Sequence, residues 1–382
     1  MSSTILKLDR REFLSRSLSV VGLMHLWPLS ARAWQDGYAP IARSWPRVLG
    51  TWQRGEQNFV GLWNGEQAAT GIALSFRAHQ LLRDPLSATQ AVVVARRPGE
   101  SLARVDLDRH LVLNQISTET NRRFNGHAAF SLDGTLLFTS ENDSVTGEGI
   151  IGIRDSRSLA KRTEVPSGGI GPHALIVEQN GTLLVANGGI LDVLSPGVPN
   201  IAIERMNPSL TRIDPTNGSC LGKWLLPDQQ LSIRHMVRES SGTVGVALQA
   251  ANVEQTERNA APVLAIFDGK AFRLAEMPAG RSLRGYAGDV TCVQLDGIEL
   301  FAAGCTAAGL LGLWDKQGKW VGAVTMPEAC AVASWGQTVV AATSIGQVAL
   351  VNPVARELVK AQHTDMRWDN HMIVWDETGA SL

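Results

Sequence analysis

The chain has 382 residues, with 35 basic and 36 acidic groups and a formal net charge of −1. That balance excludes a general nucleic-acid or anionic-lipid surface, which needs an excess of cations to attract phosphates. Four cysteines, Cys220, Cys292, Cys305 and Cys330, are too few and too scattered for a disulfide scaffold, although one or two bridges suit an oxidising compartment.

At the N-terminus, Arg10 and Arg11 are followed by one spacer and then by Phe13 and Leu14, the pattern of a twin-arginine export motif. The apolar stretch Leu18–Leu29 is too short to span a bilayer as a mature helix. Ser30, Ala31, Arg32 and Ala33 then place small residues at alternate positions, as a signal peptidase requires. The expected division is a twin-arginine signal peptide at 1–33, cleaved after Ala33, and a mature periplasmic domain at 34–382. A basic amphipathic helix that stays attached is the alternative. Cleavage leaves 30 basic and 34 acidic groups, a net of −4, and no later stretch is apolar enough to cross a membrane. Neither nucleic acid nor membrane insertion is expected of the mature product.

The mature segment repeats. A strand–turn–strand unit at His127–Phe138 recurs at His173–Val185, His235–Val246, Val290–Phe301 and Cys330–Ala341. Asp133-Gly134, Asn180-Gly181 and Asp296-Gly297 are the turn pairs expected of two-residue hairpins, because glycine accepts a positive φ. A second short strand ending in Asp or Asn follows each copy: Ile151–Asp155, Leu210–Asp214, Leu264–Asp268, Leu311–Asp315 and Val348–Asn352. Four strands per unit at roughly 40–60-residue spacing is the arithmetic of an all-β propeller. Inner strands are expected near His79, His127, His173, His235, Val290, Cys330 and His371, which makes seven blades. The chain ends after a single strand at the seventh, while three unpartnered strands precede His79, near Val48–Gln53, Phe59–Trp63 and Thr70–Phe76. Three N-terminal strands plus one C-terminal strand complete the last blade and close the ring. A pair of β-sandwiches is the competing architecture, and regular repetition argues against it. The 11 tryptophans are read as filling between blades, with no ligand-stacking role.

His79, His127, His173, His235 and His371 all fall in one slot, the start of an inner strand, and Cys330 takes it in the sixth copy. Only the copy at Val290 has neither nitrogen nor sulfur there. First residues of inner strands surround one mouth of the central channel, so these imidazoles are expected to converge. Neutral imidazole is a preferred ligand of copper, zinc and iron. The expected site is therefore a transition-metal centre, iron or copper with zinc as a third choice, ligated by the five histidines with Cys330 as a sixth donor. Arg77 and Arg234 lie beside it in sequence and suit an accompanying anion or an anionic metal complex. Asp369 and Asn370 are placed to orient an imidazole. Structural lining by carbonyl-bonded histidines and acid–base catalysis by them are the alternatives. The polar loops Asn142–Gly149, Gly188–Ser209 and Ala250–Pro262 share that face, and Gly188–Ser209 is the one long enough to act as a lid or a partner contact.

The segments Arg123–Ser131, Thr139–Asp143, Gly149–Asp155, Gly169–His173, Ala186–Ile190, Met206–Leu210, Ser232–His235, Gly285–Gly288 and Trp368–His371 resemble domain-of-unknown-function family 1513. The resemblance spans nearly the whole mature chain, departing at Thr343–Gln347, where the family often has a fuller glycine-rich segment. It implies an exported periplasmic propeller encoded among iron-linked genes, with imelysin-type peptidase-like proteins and a di-haem oxidoreductase as partners. It supplies no catalytic residues. The functional expectation is a periplasmic metal-binding accessory protein in iron acquisition or handling. A non-catalytic interaction propeller docking a periplasmic or outer-membrane component, and an oxidoreductase using the same channel, are the other readings. No Ser-His-Asp spacing, phosphate loop or nucleotide fingerprint supports a named reaction.

Overall fold

A computed structural model describes residues 44–66, 69–190, 206–251 and 254–375. The signal peptide expected at 1–33 lies outside the described residues, as do residues 191–205 of the Gly188–Ser209 loop.

Strands β1 (Val48–Arg54), β2 (Gln57–Trp63) and β3 (Gly71–Leu74) come first. The first complete blade follows as β4 (Ala78–Arg83), β5 (Gln90–Ala95), β6 (Ser101–Asp106) and β7 (Leu111–Ser117). The second is β8 (Arg122–Phe130), β9 (Leu136–Asp143), β10 (Glu148–Asp155) and β11 (Lys161–Ile170). The third is β12 (Pro172–Val177), β13 (Leu183–Asn187), β14 (Ser209–Ile213) and β15 (Cys220–Trp224). The fourth is β16 (Leu231–Arg238), β17 (Val244–Ala250), β18 (Leu264–Phe267) and β19 (Phe272–Leu274), with a short helix α1 (Gln255–Ala260) between β17 and β18. The fifth and sixth are β20 (Val290–Leu295), β21 (Ile298–Cys305), β22 (Leu310–Asp315), β23 (Trp320–Thr325) and β24 (Ala329–Trp335), β25 (Thr338–Thr343), β26 (Gln347–Asn352), β27 (Glu357–His363). The last strand, β28 (Arg367–Val374), pairs antiparallel with β1, and the seventh sheet runs β28-β1-β2-β3.

The fold is a seven-bladed β-propeller closed by three N-terminal strands and one C-terminal strand. Each blade is an antiparallel four-stranded sheet, and the seven first strands β4, β8, β12, β16, β20, β24 and β28 touch one another in a closed circle. Burial explains why the strands read differently. Middle strands such as β5 and β25 are packed between neighbouring blades on both faces, so their apolar residues run on without alternation. The outer strand β7 alternates between half-buried and exposed because one of its faces meets solvent.

The clasp is packed by tryptophan. Trp368 on β28 lies 5.8 Å from Trp52 and 6.2 Å from Trp63, centroid to centroid, and all three are buried. Position 50 on β1 must be glycine, because a Cβ there would stand 2.3 Å from Cζ3 of Trp368.

Two turns differ from the sequence expectation. Asp296-Gly297 forms a two-residue connection, but Ser131–Thr135 and Glu178–Thr182 are five-residue loops. There Asp133 and Asn180 accept from the backbone N–H of Thr135 (3.0 Å) and Thr182 (3.1 Å), adding a side-chain bond to the backbone bonds from Gly134 N–H to the Ser131 carbonyl (2.9 Å) and from Gly181 N–H to the Glu178 carbonyl (2.8 Å). All four cysteines are free, so neither bridge is formed.

Candidate metal centre

The histidine slot is a backbone feature. In a regular strand successive side chains alternate between faces, so one position aims at the neighbouring blade and the next away from it. Each histidine-bearing first strand breaks that alternation. The β4–β5 register shifts between Ala78 and Leu81, around His79. Corresponding shifts enclose His127 (Phe124 to Ala128), His173 (Pro172 to Leu175) and His235 (Ile233 to Met236). On β28 the shift between Trp368 and Met372 encloses His371, whose φ is +70°. A bulge of this kind re-aims a side chain while the rest of the strand keeps its pairing. The side chain of Gln80 locks one of them, accepting from the backbone N–H of Ala128 at 2.7 Å.

The five rings meet. His127 and His173 have centroids 4.3 Å apart, His235 and His371 4.2 Å, and His79 lies 4.9 Å from both His127 and His371. His173 and His235 stack with planes 8° apart, and their Nε2 atoms approach to 3.1 Å. Four of the rings are at most 5% exposed. Among the described residues, both nitrogens of His79 and of His127, Nδ1 of His173 and Nε2 of His371 are buried without a hydrogen-bond partner. Buried polar atoms left in this state cost roughly 1–3 kcal/mol each, so a cluster of them points to a guest.

Sequence reasoning missed one member. The fifth blade contributes Asp289, one residue before the Val290 slot that had been read as empty. Its strand β20 pairs with β21 without a register shift, so the polar side chain reaches the centre from the preceding position. Asp289 is 3% exposed, and its Oδ1 lies 3.0 Å from Nδ1 of His371 and 3.7 Å from Nδ1 of His235. The backbone N–H groups of Val290 (2.9 Å) and Val332 (3.0 Å) also donate to it. The signal was present as an acidic residue beside an otherwise ligand-free slot.

Electrostatics keep four of the imidazoles deprotonated. Burial first, and then the neighbouring imidazoles, hold His79, His127 and His173 well below the usual histidine range. His235 is lowered to about 4 by burial and by His371, against the opposing pull of Asp289. Burial works to raise the Asp289 carboxyl, but His371 and His235 hold it far below the ordinary carboxylate range. At neutral pH, His79, His127, His173 and His235 offer neutral nitrogen lone pairs. Among the described residues, two sets of ligand atoms lie close enough together to hold an ion: His79, His127, His173 and His235, and His235, Asp289 and His371.

Other expected residues are placed differently. Cys330 occupies the sixth bulge, but its Sγ faces the carbonyl oxygens of Trp368 (3.4 Å) and Ala342 (3.6 Å) within the apolar core, outside both sets. The β24 bulge spans fewer residues than those carrying histidines, and it turns the short thiol toward the backbone instead of the axis. Arg77 is committed to Asp369 (Nε–Oδ1 2.9 Å), and Arg96 reaches the same carboxylate at 3.4 Å. Asp369 therefore binds guanidinium groups rather than orienting an imidazole, and Asn370 donates to the carbonyl of Gly288. Arg234 is 7% exposed, and its charge disfavours protonation of His127, His173 and His235. Loop Asn142–Gly149 lies at the end where β8 enters its blade, as the pairing of Arg122 with Asp143 requires.

The model of a family described as a protein of unknown function, DUF1513, matches residues 72–375. Among solved structures, hydrazine synthase from Kuenenia stuttgartiensis superposes with a TM-score of 0.55 at 16% identity, covering 86% of this chain and 99% of that one. At that identity the likeness is one of fold. No curated protein matches the chain.

Proposed function

The chain belongs to the DUF1513 family, and from that premise we propose that it is a periplasmic metal-binding accessory protein whose propeller axis holds a transition-metal ion, iron or copper, or an anionic complex of one. The observation that carries this reading is the 3.1 Å approach of His173 Nε2 to His235 Nε2 among imidazoles with unpartnered nitrogens. Two nitrogens bound to one ion at about 2.0 Å with tetrahedral angles stand about 3.3 Å apart, so the spacing fits a shared cation. His79, His127, His173 and His235 are the proposed ligands, with His371 completing the set. Bound there, the ion would supply Lewis acidity or electron transfer. The protein's own part is to keep the imidazoles neutral, to fix their tautomers through Asp289 and to exclude bulk water.

Export by the twin-arginine route follows from Arg10 and Arg11, since an ion loaded into a folded propeller must be carried across the membrane with the fold intact. A setting in iron handling, with imelysin-type or di-haem proteins as partners, is part of the proposal and rests on the family resemblance alone. Elemental analysis of natively exported protein tests the central claim. About one iron or copper per chain is expected, falling to background when all five histidines are replaced by alanine. Equal metal content in the two proteins would overturn it.

A further inference from the structure

His235 belongs to both ion-holding sets, and its two ring nitrogens face different neighbours. Its Nε2 meets Nε2 of His173 at 3.1 Å, within the four-imidazole set. Its Nδ1 faces Oδ1 of Asp289 at 3.7 Å, beyond hydrogen-bond reach, and is buried without a hydrogen-bond partner. The lone pairs of the two nitrogens of an imidazole diverge, so one ion bound in the ring plane cannot use both. The Nδ1 side is left for something else.

Two more donors stand there. Nδ1 of His371 lies 3.0 Å from the same Oδ1 of Asp289. Donors bound at about 2.1 Å to one ion are about 3.0 Å apart at a right angle and about 3.6 Å apart at 120°, so both spacings fit a cation among the three groups. The carboxylate is fixed from two blades, Oδ1 accepting from the N–H of Val290 on β20 (2.9 Å) and Oδ2 from that of Val332 on β24 (3.0 Å). Each oxygen keeps further lone-pair capacity. The two sets differ in kind. Four imidazole nitrogens close a tetrahedral shell, whereas two imidazoles and one carboxylate leave a position open for water or an exchanging ligand. The second set is also nearer solvent, since the His371 side chain is 13% exposed while the other four rings are fully buried.

Resting on the metal-binding reading above, we propose that the axis is a two-ion centre bridged by His235. Its Nε2 completes the closed four-imidazole site, and its Nδ1 joins Asp289 Oδ1 and His371 Nδ1 in an open site for a divalent first-row cation. His371 thereby serves the second ion rather than the first. Ions bound about 2.0 Å from the two nitrogens of one ring stand about 6 Å apart, close enough to repel each other and to couple magnetically. As the second ion binds, the His235 ring releases its remaining proton to solvent, and the resulting imidazolate lies between the two cations. Repulsion and the smaller donor set make the sites fill in order. One ion stays with the chain on purification, and the second is taken up at higher free concentration and given up first.

The test is a titration of the exported, metal-stripped chain with copper(II), followed by equilibrium dialysis and by low-temperature electron paramagnetic resonance. Two coppers per chain are expected at saturation. The integrated signal should rise to one spin per chain with the first equivalent and then fall with the second, because an imidazolate couples two copper(II) ions antiferromagnetically. Saturation at one copper overturns the two-ion centre while leaving the metal site in place. Two coppers whose signals simply add overturn the bridge. No binding to wild type, matching the five-histidine variant, overturns the metal-binding reading and this proposal with it. Asp289→Asn and His371→Gly, the latter suited to the φ of +70° at that position, are each expected to stop at one uncoupled copper under conditions that saturate the wild type. Either variant decides if the other fails to fold, as judged by circular dichroism. Two coupled coppers in a folded variant would overturn the assignment of that residue's set to the second ion.

Discussion

Gly126 and His79 belong to adjacent blades, and a Cβ built on Gly126 would stand 2.5 Å from Cδ2 of the His79 ring. Gly126 also has a φ of +96°, which side-chain-bearing residues rarely adopt. One glycine therefore shapes the β8 bulge that aims His127 and leaves room for the imidazole beside it. Backbone conformation and site geometry are coupled at this pair.

Gly126→Ala should accordingly destabilise the fold by about 1–3 kcal/mol and displace His79. Denaturant unfolding measures the first effect and metal affinity the second. Wild-type values in both would mean that the close approach has no energetic consequence.

Acid should destabilise the metal-free protein in a window set by the histidines. His79, His127, His173 and His235 are held below their unfolded value near 6.5. Between that value and the lower folded one, the unfolded chain binds protons that the folded ring refuses, so stability falls as pH falls. His235 alone contributes about 1.4 kcal/mol per pH unit from 6.5 down to about 4. Urea midpoints taken between pH 7.5 and 5 should decrease steadily, and the five-histidine variant should lose this slope. A flat profile in the wild-type protein would contradict neutral burial.

Metal should stabilise in the measure of its affinity. At a free ion concentration of 100 times Kd, linkage adds about 2.7 kcal/mol to unfolding. Differential scanning calorimetry of loaded and stripped protein should show a rise in Tm that disappears when the histidines are replaced.

Cys330→Ala tests the one expected donor that the structure turns away. Its sulfur bonds weakly to carbonyls in a packed core, so the substitution should cost about 1 kcal/mol of stability and leave metal content unchanged. Loss of metal in a folded variant would return the thiol to the ligand set.

The clasp offers a test of ring closure. Trp368→Ala removes the ring that packs against Gly50, Trp52 and Trp63, and should cost about 3–5 kcal/mol. A loss typical of surface substitutions, near 0.5 kcal/mol, would mean that β28 and β1 are not the seam of the fold.

Much of this architecture was legible in the residues. Strand repeats at His127, His173 and His235, with unpartnered strands at the two ends, determine seven blades and their closure, because alternation and turn chemistry are local properties. The recurrence of histidine at one slot likewise marks five of the residues that meet on the axis. Direction was not legible. Whether a residue at the start of a strand faces the channel depends on one or two extra residues in a bulge, and a bulge exists only relative to the register of a partner strand. Tertiary structure alone therefore brought Asp289 into the centre from one position off the slot and turned Cys330 out of it from a position within it. It also committed Arg77 to Asp369, 292 residues further along the chain, because charges distant in sequence find each other only once the ring has closed.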